Sequence, residues 1–289
     1  MNQFSIKDIE VLSGIKAQTL RVWEQRYGIL VPKRKLSKHR IYDDNDLKSI
    51  LCVAHLNQRG YKISRIARMT AQEINELTLA TGVNKEQYEE IIMEYIDAIK
   101  DFDDIKFNRI FNTNLNQLDF EKIVVDIFYP LLQRLGQCWI TDQIKPAQEH
   151  FASEIIASKI DFHIQTLKKV NTGPLILLFL PRGEFHRIPL LFISYLLRKY
   201  GKRAVFLGAD VDIETLEQYL SKNVVDILHM HLITEFFDDQ PERFVKRLLT
   251  VCKKQKIIIS GPAGANIHLT NPRLTTLSSM QALIHYCKA

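Results

Sequence analysis

Three groups of residues in this chain have types and spacings that could do chemistry. Glu184 stands two residues before His186. A carboxylate so placed can hold one imidazole nitrogen, fix the tautomer and make the other nitrogen a better metal ligand. Glu149 and His150 are adjacent and follow Trp139 with nine residues between them. By itself that pair reads as a structural histidine near a helix start. The third group is the basic run Lys33-Arg34-Lys35-Leu36-Ser37-Lys38-His39-Arg40-Ile41-Tyr42. Taken alone it is a solvated loop or a strip that meets phosphates.

The location of the charge separates those two readings. Residues 1–72 hold 14 Lys and Arg against 6 Asp and Glu, whereas the rest of the chain holds 25 against 27. The net charge of +6 is therefore confined to one end. A phosphate-binding module segregates charge in this way, and ordinary solubility charge does not. No apolar run approaches the roughly 20 residues of a membrane span. The first ten residues also lack the apolar core of a signal peptide, so a cytoplasmic protein is expected. Cys52, Cys138, Cys252 and Cys287 are far apart and form no CxxC pair, which implies reduced, mostly buried thiols.

Stepping along the chain, Ser5 is a suitable N-cap for a short helix with Ile6, Ile9 and Val11/Leu12 on its apolar face. Gly14 supplies a turn, and residues 17–26 read as a second helix with Arg21 and Arg26 on its polar side. Helix, glycine-containing turn and helix form a helix-turn-helix, whose second helix enters the major groove. The basic run then suits a hairpin wing. Two more helices are expected from Asp46 to about Arg59 and from Ser64 to Met69. The stretch Thr19-Leu20-Arg21-x-Trp23-Glu24-x-Arg26-x-Gly28-x-Leu30, with Pro32, His39-Arg40-x-Tyr42 and Asp46-Leu47, resembles the MerR family of regulators. The resemblance implies DNA contacts from Arg21, Trp23, Arg26, Arg40 and Tyr42. Lys33, Arg34, Lys35, Lys38 and His39 of the wing join them as candidates. Trp23 has a second possible role, packing beneath the wing. The resemblance also implies a palindromic site bound by a dimer.

From Ile74 to Leu167 apolar residues recur at helical spacing, as in Ile91, Ile92, Tyr95, Ile96 and Ile99. A four-helix bundle is expected. Trp139 with Glu149-His150 resembles the helical cap of CarH-type cobalamin-dependent photoreceptors and regulators. That resemblance implies that Trp139 shields the upper face of a corrin, with Glu149 and His150 beside it and His150 a possible upper cobalt ligand.

Beyond residue 170, β-capable runs at 174–180, 204–208, 226–232 and 257–261 alternate with helices at about 188–200, 213–222 and 244–253. This pattern implies a doubly wound, Rossmann-like parallel sheet that binds ligands at the carboxyl ends of its strands. Glu184, His186, His231, Ser260 and Gly261 fall at such ends. Pro181-x-Gly183-Glu184-x-His186, followed later by Leu207-Gly208-Ala209-Asp210, resembles the cobalamin-binding domain of methionine synthase and of the same photoreceptors. His186 is then the lower cobalt ligand and Glu184 its support. Three positions depart from that pattern: Pro189 and Ser260 where glycines are usual, and His231 where a serine is usual. A pocket so altered either takes cobalamin in a changed way or has lost it.

The fold expected is multidomain, α and α/β: a winged helix-turn-helix (1–73), a helical bundle cap (74–169) and a cobalamin-binding-like α/β domain (170–289). The function expected is a homo-oligomeric (dimeric or tetrameric) regulator of double-stranded DNA that senses a cobalamin, adenosylcobalamin with a light response foremost. The alternative is a regulator with a degenerate sensor, answering to a protein or another small ligand. Corrinoid enzymes need a separate substrate barrel, which 289 residues cannot also contain, so no enzymatic activity is expected.

Overall fold

The structure, a computed structural model, describes residues 4–30, 33–34, 40–80, 88–234 and 241–289. It divides into two compact units, Met1–Ile155 and Ile156–Ala289. No helix among the described residues is long and apolar enough to cross a membrane.

The first unit begins with α1 (Ile6–Ser13), capped by Ser5, whose hydroxyl accepts from the Asp8 amide while Asp8 accepts from the Ser5 amide. Gly14 ends it in the left-handed conformation, φ 69°, which costs a glycine least. Next come α2 (Ala17–Tyr27), the antiparallel pair β1 (Lys33–Arg34) and β2 (Arg40–Ile41), and α3 (Asp44–Gln58). Asp43 and Asp46 form a capping box at the start of α3. A single turn, α4 (Ile63–Ile66), and α5 (Ala71–Ala80) follow. Ile9, Leu20, Trp23, Leu30, Tyr42, Ile50 and Leu56 form the core of this module.

A bundle of α6 (Glu89–Lys100), α7 (Asp104–Leu115) and a helix over 120–140 comes next, and α10 (Pro146–Thr166) follows it and crosses the boundary between the units. The helix over 120–140 comprises α8 (Phe120–Ile123), a π-helical stretch (Val124–Phe128) and α9 (Tyr129–Ile140). Pro130 near the start of α9 has no N–H to donate, and the wide turn just before it absorbs the missing bond without ending the helix. Tyr95, Phe107, Phe111 and Phe128 meet ring against ring in its core.

The second unit holds a five-stranded parallel sheet of order β4-β3-β5-β6-β7. Its strands are β3 (Leu175–Pro181), β4 (Arg203–Val211), β5 (Ile227–His231), β6 (Lys256–Ser260) and β7 (Leu274–Leu277). Leu228 and Met230 face α12 (Ile213–Lys222) and α13 (Pro241–Val251). His229 faces the other way, toward Tyr286 of α15 (Met280–Lys288), and α15 packs beside α11 (Arg187–Lys199). β7, α15 and the single turn α14 (Pro262–Ala265) have no counterpart among the elements expected from the sequence. β3 has β4 on one side and β5 on the other, so the chain winds outward both ways from it. The crevice between the ends of β3 and β5 is where such sheets bind ligands.

Candidate functional site

Glu184 and His186 occupy that crevice. β3 ends at Pro181, and Gly183 turns the chain with φ 86°, its amide donating to Asp210 at the end of β4 (3.0 Å). Glu184 is fully buried. Its Oε1 lies 2.6 Å from His186 Nδ1 and accepts from the His186 amide at 3.0 Å. Its Oε2 accepts from the amides of Ile233 (3.0 Å) and Thr234 (2.9 Å) and from the Thr234 hydroxyl (3.0 Å). One carboxylate thus ties the loop after β3 to the loop after β5. Burial would raise its pKa, but the bonds from His186 and Thr234 outweigh that and hold it at about 2. His186 stands at the residue before α11, with its side chain 55% exposed. With Nδ1 held by the carboxylate, Nε2 is the atom with which this imidazole can meet a metal.

His231 and Ser260 lie close by at the ends of β5 and β6. The Ser260 hydroxyl is 2.9 Å from His231 Nδ1 and 3.0 Å from His229 Nε2. His229 was not anticipated from the sequence, because a histidine inside the apolar run Ile227–His231 carries no local signal. Gly261 has φ 95°, and a Cβ there would lie 2.3 Å from the Leu232 carbonyl oxygen. Its missing side chain therefore makes room for the protein's own backbone. Pro189 sits in the first turn of α11, where an amide has no helical partner to lose.

In the first unit, Glu149 and His150 lie in the first turns of α10. Ser153 donates to Glu149 Oε1 at 2.6 Å, and Glu149 Oε2 is 3.5 Å from His150 Nδ1. The His150 side chain is largely exposed. Trp139, at the end of α9, packs against the core of the DNA-binding module. Lys48 of α3 stands over its ring at 5.7 Å and is ion-paired with Asp142, and the Cys52 thiol of α3 reaches the Ile140 carbonyl. No group of three or more His, Cys, Asp or Glu side chains able to hold a metal is present among the described residues.

The DNA-binding candidates divide. Arg21 and Arg26 are exposed on α2. Lys33 and Arg34 form β1, and Lys35, Lys38 and His39 lie outside the described residues. Two assignments need correction. Trp23 is 7% exposed and Tyr42 is 1% exposed, both in the module's core, so Trp23 takes the packing role and Tyr42 is closed off from DNA. Arg40 donates from Nε to Glu24 Oε2 at 2.8 Å, which fastens the wing to α2. A basic hollow of about 780 Å³, lined by Arg59, Lys62, Arg65 and Arg68, was not anticipated. The three-residue spacing of Lys62, Arg65 and Arg68 was its signal in the sequence.

Comparison with known proteins bears on the chain's domains. The model for the MerR HTH family regulatory protein matches residues 4–73, and that for a B12 binding domain matches residues 91–162. The chain is 24% identical to the HTH-type transcriptional repressor CarA of Myxococcus xanthus over 91% of its length and 88% of that protein. It is 25% identical to the repressor CarH of the same organism, over 89% and 88%. In fold it is similar to a monomethylamine corrinoid protein from Methanosarcina barkeri (TM-score 0.52, 14% identity, 70% of this chain and 98% of that one). The chain is a MerR-type DNA-binding regulator with a B12-binding domain, homologous to the CarA and CarH repressors.

Proposed function

We propose that this regulator senses a corrinoid through His186, which Glu184 holds as the axial ligand. The carrying observation is the 2.6 Å contact between Glu184 and His186 Nδ1 at the crevice of the sheet, with His186 half exposed. A cobalt already held by a macrocycle asks the protein for one or two axial ligands, so a single well-oriented imidazole suffices. When bound, the corrinoid supplies a cobalt whose upper ligand can be gained or lost. The residues of this chain supply the orientation of the lower imidazole and the route to DNA.

That route starts at Trp139. The resemblance makes Trp139, with Glu149 and His150 beside it, the shield of an upper adenosyl group, and the same ring packs against Lys48 and the core of the DNA-binding module. Ligand and DNA-binding module then compete for one ring, and differential affinity for the two arrangements shifts DNA occupancy. On DNA, Arg21 and Arg26 read bases while β1 and the Lys62/Arg65/Arg68 hollow meet phosphates. The finer features of this reading are the adenosyl form with its light response, a palindromic site, a dimer or tetramer, a cytoplasmic setting and functional segments at 1–73, 74–169 and 170–289.

The purified chain is mixed with aquocobalamin and with diaquocobinamide and then desalted. A retained red chromophore, with a visible spectrum altered by imidazole coordination and restored in His186→Ala, supports the reading. If neither corrinoid is retained at micromolar concentration, the reading fails. The degenerate-sensor alternative is favoured by one observation, the side chains that fill the layer behind His186.

A further inference from the structure

His229, Ser260 and His231 lie on the face of the sheet covered by α11 and α15, immediately behind the helix that His186 starts. His229 is 0% exposed, Ser260 1% and His231 8%. Their hydrogen bonds converge on the Ser260 hydroxyl, while His229 Nδ1 and the Tyr286 hydroxyl are buried without a partner among the described residues. Both ring nitrogens that face the serine can donate to its oxygen, while its hydroxyl donates to the Met230 carbonyl at 3.4 Å. The Tyr286 ring stands edge-on against His229 at 5.4 Å. At the next residue the space left by the missing Gly261 side chain is taken by the Leu232 carbonyl. The region is packed protein, with no cradle left at the glycine.

The chemistry of corrinoids makes this region decisive. A complete cobalamin carries a nucleotide loop on its lower face, whose base is itself the lower cobalt ligand. For His186 to take that position the base must leave, and the loop must lodge below the ring. The displaced loop would then need room beside His186, on the side where His231 and Ser260 lie. There the buried His229, Ser260 and His231 side chains stand in the way, with the Tyr286 ring against His229, and moving them breaks the bonds that meet at Ser260.

We infer that the His186 site takes a corrinoid lacking the lower nucleotide loop, a cobinamide-type ring, in preference to complete cobalamin. This rests on the corrinoid-sensing reading above and narrows its ligand class. The full-length protein is titrated with diaquocobinamide and, separately, with aquocobalamin, and imidazole coordination is followed in the visible spectrum. Cobinamide is expected to bind at least about tenfold more tightly and to give the imidazole spectrum, lost in His186→Ala. Cobalamin is expected to bind weakly, with its own base still on the metal. The double variant His231→Ser with Ser260→Gly, which opens the layer, is expected to raise cobalamin affinity toward that of cobinamide. Equal or tighter cobalamin binding by the unaltered chain, with His186-dependent coordination, overturns the inference and leaves the sensing reading standing. Retention of neither corrinoid overturns both.

Discussion

Burial holds the His229 imidazole at a pKa of about 3 and the His231 imidazole at about 4, far below the ordinary 6.5. In the unfolded chain both groups take up a proton as the pH falls through 6.5, whereas in the folded chain they stay neutral until much lower pH. Their neutral burial is therefore tolerated fully above pH 6.5 and opposes folding increasingly below it. Each imidazole costs up to about tenfold in the folding equilibrium per pH unit. Glu184 acts in a lower window: its bonds stabilise the fold above its ordinary 4.5 and are lost as the pH falls from there through about 2. Hydrogen exchange of the β5 and β6 amides should thus accelerate between pH 6.5 and 5. His229→Leu, which removes one titrating group and leaves Ser260 bonded to Met230, should flatten that dependence. An unchanged slope would count against burial of a neutral His229.

The recognition helix α2 divides its residues between two duties. Leu20 and Trp23 face the core, three residues apart on one side, while Arg21 and Arg26 are exposed. Arg21→Ala should leave thermal stability within about 0.5 kcal/mol and abolish the specific footprint on the protein's own promoter region. Trp23→Ala should instead cost about 3–5 kcal/mol of stability, as expected for a large buried aromatic. Melting curves and footprints on the two variants check both. A stable Trp23→Ala protein that fails on DNA would return Trp23 to the interface.

Across the first unit, α3 and the end of α9 are joined at three points: the Lys48–Trp139 ring contact, the Lys48–Asp142 ion pair and the Cys52–Ile140 hydrogen bond. Such a joint lets a change at the cap reach the DNA-binding module by packing alone. Asp142, at this joint, adopts a left-handed backbone conformation, φ 61°, which is uncommon outside glycine. Lys48→Met and Asp142→Asn should each shrink the difference in DNA affinity between corrinoid-loaded and empty protein by about threefold or more. Fluorescence anisotropy titrations measure that ratio, and an unchanged value would remove the joint from the coupling path.

The sequence by itself determined the features ruled by short-range physics. The Ser5 cap, the Gly14 turn and the length of α2 follow from the preferences of neighbouring residues. Alternating strands and helices after residue 170 specify the doubly wound sheet, and the Glu184–His186 contact forms across two residues. Charge segregation pointed to DNA without any coordinates. Tertiary structure alone decided which way the ambiguous side chains point. Trp23, Tyr42 and Arg40 match an interface motif yet turn inward or onto Glu24, because the wing and α2 need a core and a clamp between them. Trp139 lies against α3, and only its partners nearly a hundred residues away in the chain reveal this. His229 became visible only when β5 met β6, since its hydrogen-bonding partner Ser260 is thirty-one residues distant. β7 escaped notice because four residues with two exposed threonines carry too little periodicity to announce a strand. Periodicity and capping act over a few residues, whereas the filling of a ligand slot depends on groups that only the folded sheet brings together.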